Sequence, residues 1–252
     1  MRRFMLALGV WVAVAACGHA DTVFQFPEDQ EEADFIANEV IATFYHELGH
    51  GLIDVLEIPV LGKEEDAADT LSVILMNDIW EEASAAAILT SDAKAYALHA
   101  GDTSAAPDLS AYADVHSLDI QRYYSVVCLF YGANPEAHKQ LAVDLELPDY
   151  KLDSCPYEYE SARGAWDAVL QGTEPTADTF GLVMAEGQEG MPLADLLAQE
   201  VASMNEHFGL PQEITVKVAD CGEANAFYSP SEKTITLCNE YAQDLQQLWE
   251  SP

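Results

Sequence analysis

The sequence predicts an α+β fold, mainly helical, with a small antiparallel sheet drawn from the C-terminal third. Two observations carry this prediction. Between residues 28 and 170 apolar residues recur at three- and four-residue steps, the period of a helix with one buried face. After residue 178, short runs rich in β-branched residues appear between turn-forming residues. Half of the 252 residues are hydrophobic, which is enough for a sizeable core.

The chain opens on Arg2 and Arg3, followed by an apolar run of 13 residues, Phe4 to Ala16. That length suits the core of a signal peptide and is short for a membrane span. Gly18-His19-Ala20 is a small-x-small cleavage site, making 1–20 a signal peptide and 21–252 the mature chain. Val14-Ala15-Ala16-Cys17 competes with it, because it resembles a lipobox. Cleavage there would leave Cys17 as a lipidated anchor. Either route exports the chain, to the periplasm or beyond, with no transmembrane span in the mature protein. Export gives meaning to Cys128, Cys155, Cys221 and Cys238: an even number in an oxidising compartment predicts two disulfides. Nearness in sequence favours Cys128–Cys155 and Cys221–Cys238. No C-x-x-C spacing supports a four-cysteine zinc site instead.

Residues 28 to 56 read as one long helix, with Phe35, Ile36, Val40, Ile41, Phe44, Leu48 and Leu52 on its apolar face and acids at its N-terminus. Ile58-Pro59-Val60-Leu61-Gly62 breaks it with a tight return. A second helix runs over 63–80 and an Ala-rich third over 81–100. Helices are also expected over 117–131, 135–145, 157–170 and 192–208, with a loop at 148–156. Strands are expected at 180–185 and 214–218, and a hairpin at 225–228 and 234–237. Gly172 to Asp178 reads as a linker; a boundary near 172 and one undivided α+β domain account for the pattern equally well.

The 44 acidic residues against 10 basic ones exclude a nucleic-acid or anionic-lipid surface held by charge. They describe a solvated, self-repelling shell.

The chemistry concentrates at His46-Glu47-Leu48-Gly49-His50, an H-E-x-x-H in the second half of the first helix. Its two histidines lie one turn apart on one face and can hold a zinc ion, with Glu47 beside it as general base for a water. Glu65-Asp66-Ala67-Ala68-Asp69 has the form E-x-x-A-D on the helix that follows the return. Glu65 can therefore supply the third ligand, and Asp69, one turn on, can orient a liganding histidine. The metzincin pattern requires Gly and His three and six residues beyond His50; Ile53 and Leu56 stand there. That leaves the gluzincin type, with Glu as third ligand.

These stretches, together with His116-Ser117-Leu118-Asp119-Ile120-Gln121-Arg122-Tyr123-Tyr124 and Cys128-Leu129-Phe130-Tyr131-Gly132, resemble a family of bacterial secreted metallopeptidases of otherwise unknown function. The likeness runs from about residue 30 to 240 and implies a zincin-like fold. The E-x-x-A-D element is also similar to that of better-known gluzincins, which implies zinc ligation by Glu65 and a supporting role for Asp69.

A peptidase of this class needs a donor to the oxyanion of its tetrahedral intermediate. His116 and Arg122, spaced with Asp119 at the start of a helix, are candidates. Tyr228, near Asn225 in the disulfide-closed hairpin, is another, and that hairpin would form the cleft's upper rim. His99, His138 and His207 are isolated, and Trp80 and Trp166 read as core. The expected function is hydrolysis of a peptide bond in a peptide or protein, with Zn2+ as cofactor. An exported zinc-binding protein without turnover, and a zinc amidase acting on cell-wall material, are the alternatives.

Overall fold

The computed structural model describes residues 23–101, 103 and 107–250. The expected signal peptide and Cys17 lie outside them. The architecture is α+β: a helical body built around one central helix, and a four-stranded sheet from the C-terminal third.

The central helix is α1, Gln30–Val55, whose N-cap Asp29 accepts a hydrogen bond from the Glu32 N–H at 3.0 Å. Ile36, Phe44, Tyr45, Leu48 and Leu52 are fully buried along it. Around it lie α2 (Glu64–Ile79), α3 (Glu82–Ala100), α4 (Asp119–Ala133), α5 (Pro135–Asp144), α6 (Asp149–Leu152), α7 (Cys155–Val169), α8 (Pro192–His207) and α9 (Asn239–Trp249). Helix α6 is a single turn inside the stretch expected as loop. Helix α9 was not expected from the sequence, although Ala242 and Leu245 bury one face of it. Its Tyr241 hydroxyl lies 2.8 Å from Thr43 Oγ1 and donates to Glu39 Oε1 at 3.0 Å, tying it to α1. The Tyr45 hydroxyl donates to Glu200 Oε2 at 2.9 Å and ties α8 to the same helix.

The strands are β1 (Leu182–Met184), β2 (Ile214–Ala219), β3 (Ala226–Ser229) and β4 (Thr234–Cys238). The sheet is mixed rather than antiparallel throughout. Its order is β1-β2-β4-β3, with β1–β2 and β2–β4 parallel and only β3–β4 antiparallel. The cause is the loop after β2, which steps over the end of β4 so that β3 forms the sheet edge lying against α1. The Cys221–Cys238 disulfide ties that loop to the end of β4, and Cys128–Cys155 ties α4 to α7.

The apolar core runs without a break across position 172, from Phe24 to Leu245. Among the described residues no helix is long and apolar enough to cross a membrane.

Candidate metal centre

His46 and His50 face the same way because four residues carry an α-helix just past one full turn. The opposite face of that turn is held in the core by Phe44, Leu48 and Leu52. The chain then reverses at Ile58–Gly62 and brings α2 back beside α1. At the crossing Gly49 faces Ala68, and the absent side chain permits the close approach.

That approach places Glu65, in the first turn of α2, over both imidazoles. His46 Nε2, His50 Nε2 and Glu65 Oε2 form a near-equilateral triangle: 3.2 Å between the two nitrogens, and 3.2 and 3.1 Å from them to the oxygen. The outward nitrogens meet carboxylates. His50 Nδ1 lies 2.9 Å from Glu64 Oε1. His46 Nδ1 lies 2.8 Å from Asp69 Oδ1, which its N–H meets off axis. With Nδ1 protonated in each ring, both Nε2 lone pairs point into the triangle.

Three lone-pair donors this close repel one another unless a cation lies among them. The charges agree. Burial raises the Glu65 carboxyl, but His116, His46 and His50 outweigh it and hold Glu65 well below the usual carboxylate range. Burial lowers His46, but Asp69 and Glu65 outweigh it and lift the imidazole to about 10. His50 is raised in the same way by Glu65 and Glu64. Every group in the triangle favours positive charge at its centre, carried either by protons or by a metal ion.

Glu47 is buried beside this centre. Burial raises its carboxyl, and His46 and His50 partly offset the effect. The backbone N–H of Tyr228, in the edge strand β3, faces the same carboxylate.

The remaining sequence candidates fall in different places. His116 joins the centre: its Nε2 lies 3.0 Å from Glu65 Oε2, and with His46 and Glu65 it forms a group able to hold a metal. Its loop is pinned by Lys63, which donates to the Asp114 and His116 carbonyls at 3.2 and 2.9 Å, and by Ser117, which donates to Asp66 at 2.7 Å. Arg122 is turned to Asp69, donating from Nε at 2.8 Å and from Nη2 at 2.6 Å, with its guanidinium over the Tyr96 ring. It therefore acts on His46 through Asp69. The Tyr228 hydroxyl donates to Asp54 at 2.6 Å, and Lys233 bonds the same carboxylate. Asn225 lines a cavity beside Glu47. His99 lines that cavity as well, whereas His138 is buried against the Phe130 ring and His207 hydrogen-bonds within its own helix.

Sequence reasoning passed over Glu64 as the partner of His50. It also passed over Glu39 and Asp92, two buried acids close to the centre. The available signal was an acid on an otherwise apolar helical face, seven residues before His46.

No curated protein and no solved structure matched the chain. A family profile matched residues 11–170 and 183–251, spans that contain every residue of the centre just described. Metallopeptidases act on peptides or proteins with a bound metal, which agrees with three donors converging beside a buried carboxylate. The chain belongs to this family, whose description reads "Putative metallopeptidase".

Proposed function

We propose that the chain is an exported zinc-dependent peptidase of the gluzincin type. The observation that carries this reading is the triangle of His46 Nε2, His50 Nε2 and Glu65 Oε2 beside Glu47. Tetrahedral zinc with bonds of about 2.0–2.1 Å spaces its ligand atoms roughly 3.3–3.4 Å apart, close to the sides of that triangle. Two imidazoles and one carboxylate are also a donor set that zinc accepts in catalytic sites, with one position left open.

Zinc held there supplies a Lewis acid that polarises the scissile carbonyl and acidifies a water. Glu47 takes the proton from the attacking water and delivers it to the leaving nitrogen. Its burial raises its proton affinity, which suits a group that must hold a proton between two transfers. Asp69 keeps the His46 ring oriented, and Arg122 keeps Asp69 ionised. His116 is the donor to the developing oxyanion. Glu65 raises its imidazole, favouring the doubly protonated form that can donate from Nε2 while Nδ1 stays with Asp114. The edge strand β3, beside Glu47, is where an extended substrate would meet backbone groups. The two disulfides suit an oxidising, exported location.

The test is metal analysis of the purified mature protein together with cleavage profiling on a peptide library, with and without chelator. Stoichiometric zinc and chelator-sensitive cleavage are expected. Zinc without cleavage would leave a metal-binding protein and overturn the enzyme.

A further inference from the structure

A cavity of about 180 Å³ adjoins Glu47 and runs between α1, α3, α4 and α9. His46 and Glu47 line it at the candidate metal centre; Glu39, Asp92, Tyr96, Arg122 and Tyr241 are among the residues that line it elsewhere. Its volume admits a group of several heavy atoms.

Glu39 and Asp92 are each only 4 % exposed. Glu39 Oε1 accepts from Tyr241, but Oε2 is buried with no hydrogen-bond partner. Neither acid takes part in an ion pair among the described residues. Arg122, whose field reaches both, spends Nε and Nη2 on Asp69. Burial raises both carboxyls, with Asp92 adding to it at Glu39 and Asp69 adding to it at Asp92, which reaches about 7. Buried acids are ordinarily paired or neutralised. Glu39 and Asp92 both line one cavity beside the candidate centre, and Glu39 Oε2 has no hydrogen-bond partner.

We propose that this cavity is a specificity pocket for a cationic group of the substrate, an ammonium or guanidinium close to the scissile bond, received by Glu39 and Asp92. The proposal rests on the peptidase reading above and names its substrate class. Tyr241, which also lines the cavity, suits the apolar stem of such a group. The same charge can come from a basic side chain or from the free N-terminus of a peptide.

The experiment is calorimetric titration of the zinc-supplemented protein with three small ligands. Nα-acetyl-lysinamide carries its charge on the side chain, norleucinamide on the α-amine, and Nα-acetyl-norleucinamide carries none. At least one charged ligand should bind ten-fold or more tightly than the neutral one, and which one does so identifies the source. Glu39→Gln or Asp92→Asn should reduce that preference at least five-fold. Equal binding of all three ligands to the wild-type protein overturns the proposal, and so does a preference that both substitutions leave intact. The wild-type comparison stands even where a substitution disturbs folding. The readout is binding, so a charge preference in a protein that cleaves nothing would sink the peptidase reading and spare the pocket. Cleavage without charge preference would do the reverse.

Discussion

Gly49 packs against Ala68 so closely that a β-carbon on the glycine would stand 3.0 Å from Ala68 Cα and 3.1 Å from its Cβ. Each residue lies three positions after a member of the metal centre, His46 on α1 and Glu65 on α2. The contact therefore sets how far Glu65 must reach. Gly49→Val should push α2 outward and lower zinc affinity ten-fold or more, measured by competition with a chromogenic chelator. Helix content by circular dichroism should stay unchanged, and Gly49→Ala should fall between the two.

Glu47→Gln keeps the shape of the side chain and removes its basicity. Turnover should fall by about 10²–10⁴-fold, the usual worth of a positioned general base. Zinc content by plasma spectrometry should stay at one per chain, because the triangle does not include Glu47. Surviving hydrolysis would remove Glu47 from the mechanism.

His116 separates two roles by one substitution. As an oxyanion donor, its loss in His116→Ala should lower kcat about 10²–10³-fold with zinc retained. If zinc is lost instead, Nε2 is a fourth ligand, which its 3.0 Å distance from Glu65 Oε2 would also permit.

Asp69 serves two partners, His46 and Arg122, and its removal should be felt twice. Asp69→Asn should weaken zinc binding about 10–100-fold, as loss of a ligand-orienting carboxylate does. It also leaves the Arg122 guanidinium buried without its counter-charge. A loss of about 3 kcal/mol in chemical denaturation is expected.

The pH dependence of the zinc-free protein follows from the same groups. His46 has its folded pKa raised to about 10, so its contribution is complete below its unfolded value of about 6.5 and fades as pH climbs towards 10. Glu65 and Asp69 are depressed, so theirs is complete above about pH 4–4.5 and is lost as pH falls below it. Thermal unfolding after chelation should therefore show maximal stability between about pH 4.5 and 6.5. Protons and zinc compete for the His46 ring, so zinc affinity should rise over the range in which this stability falls.

Much of this layout was legible along the chain because it is local. His46 and His50 share one helical face by periodicity alone, with Glu47 next to it, and the Pro59–Gly62 return announces that α2 runs back beside α1. Both disulfides join cysteines near in sequence, and they form as that nearness suggested. What depends on packing was not legible. The sheet read as antiparallel because β3 and β4 are a local hairpin, whereas the parallel β2–β4 pairing depends on where a loop crosses. Arg122 looked like an oxyanion donor until α4 was seen to aim it at Asp69. Helix α9 was missed although Tyr241, Ala242, Leu245, Leu248 and Trp249 fall at helical spacing in it. Glu39 and Asp92 sit 53 residues apart on different helices, so only the assembled fold shows that they face one cavity.

Helix α1 also works as a ruler. It carries both the acid that would select and the base that would react, and eight residues of straight helix hold Glu39 and Glu47 about 12 Å apart along the axis. Other walls of the cavity come from α3, α4, α9 and β3. Of the two acids proposed to select, only Asp92 stands off that helix, on α3, so preference could be retuned there without touching the rod that carries the chemistry.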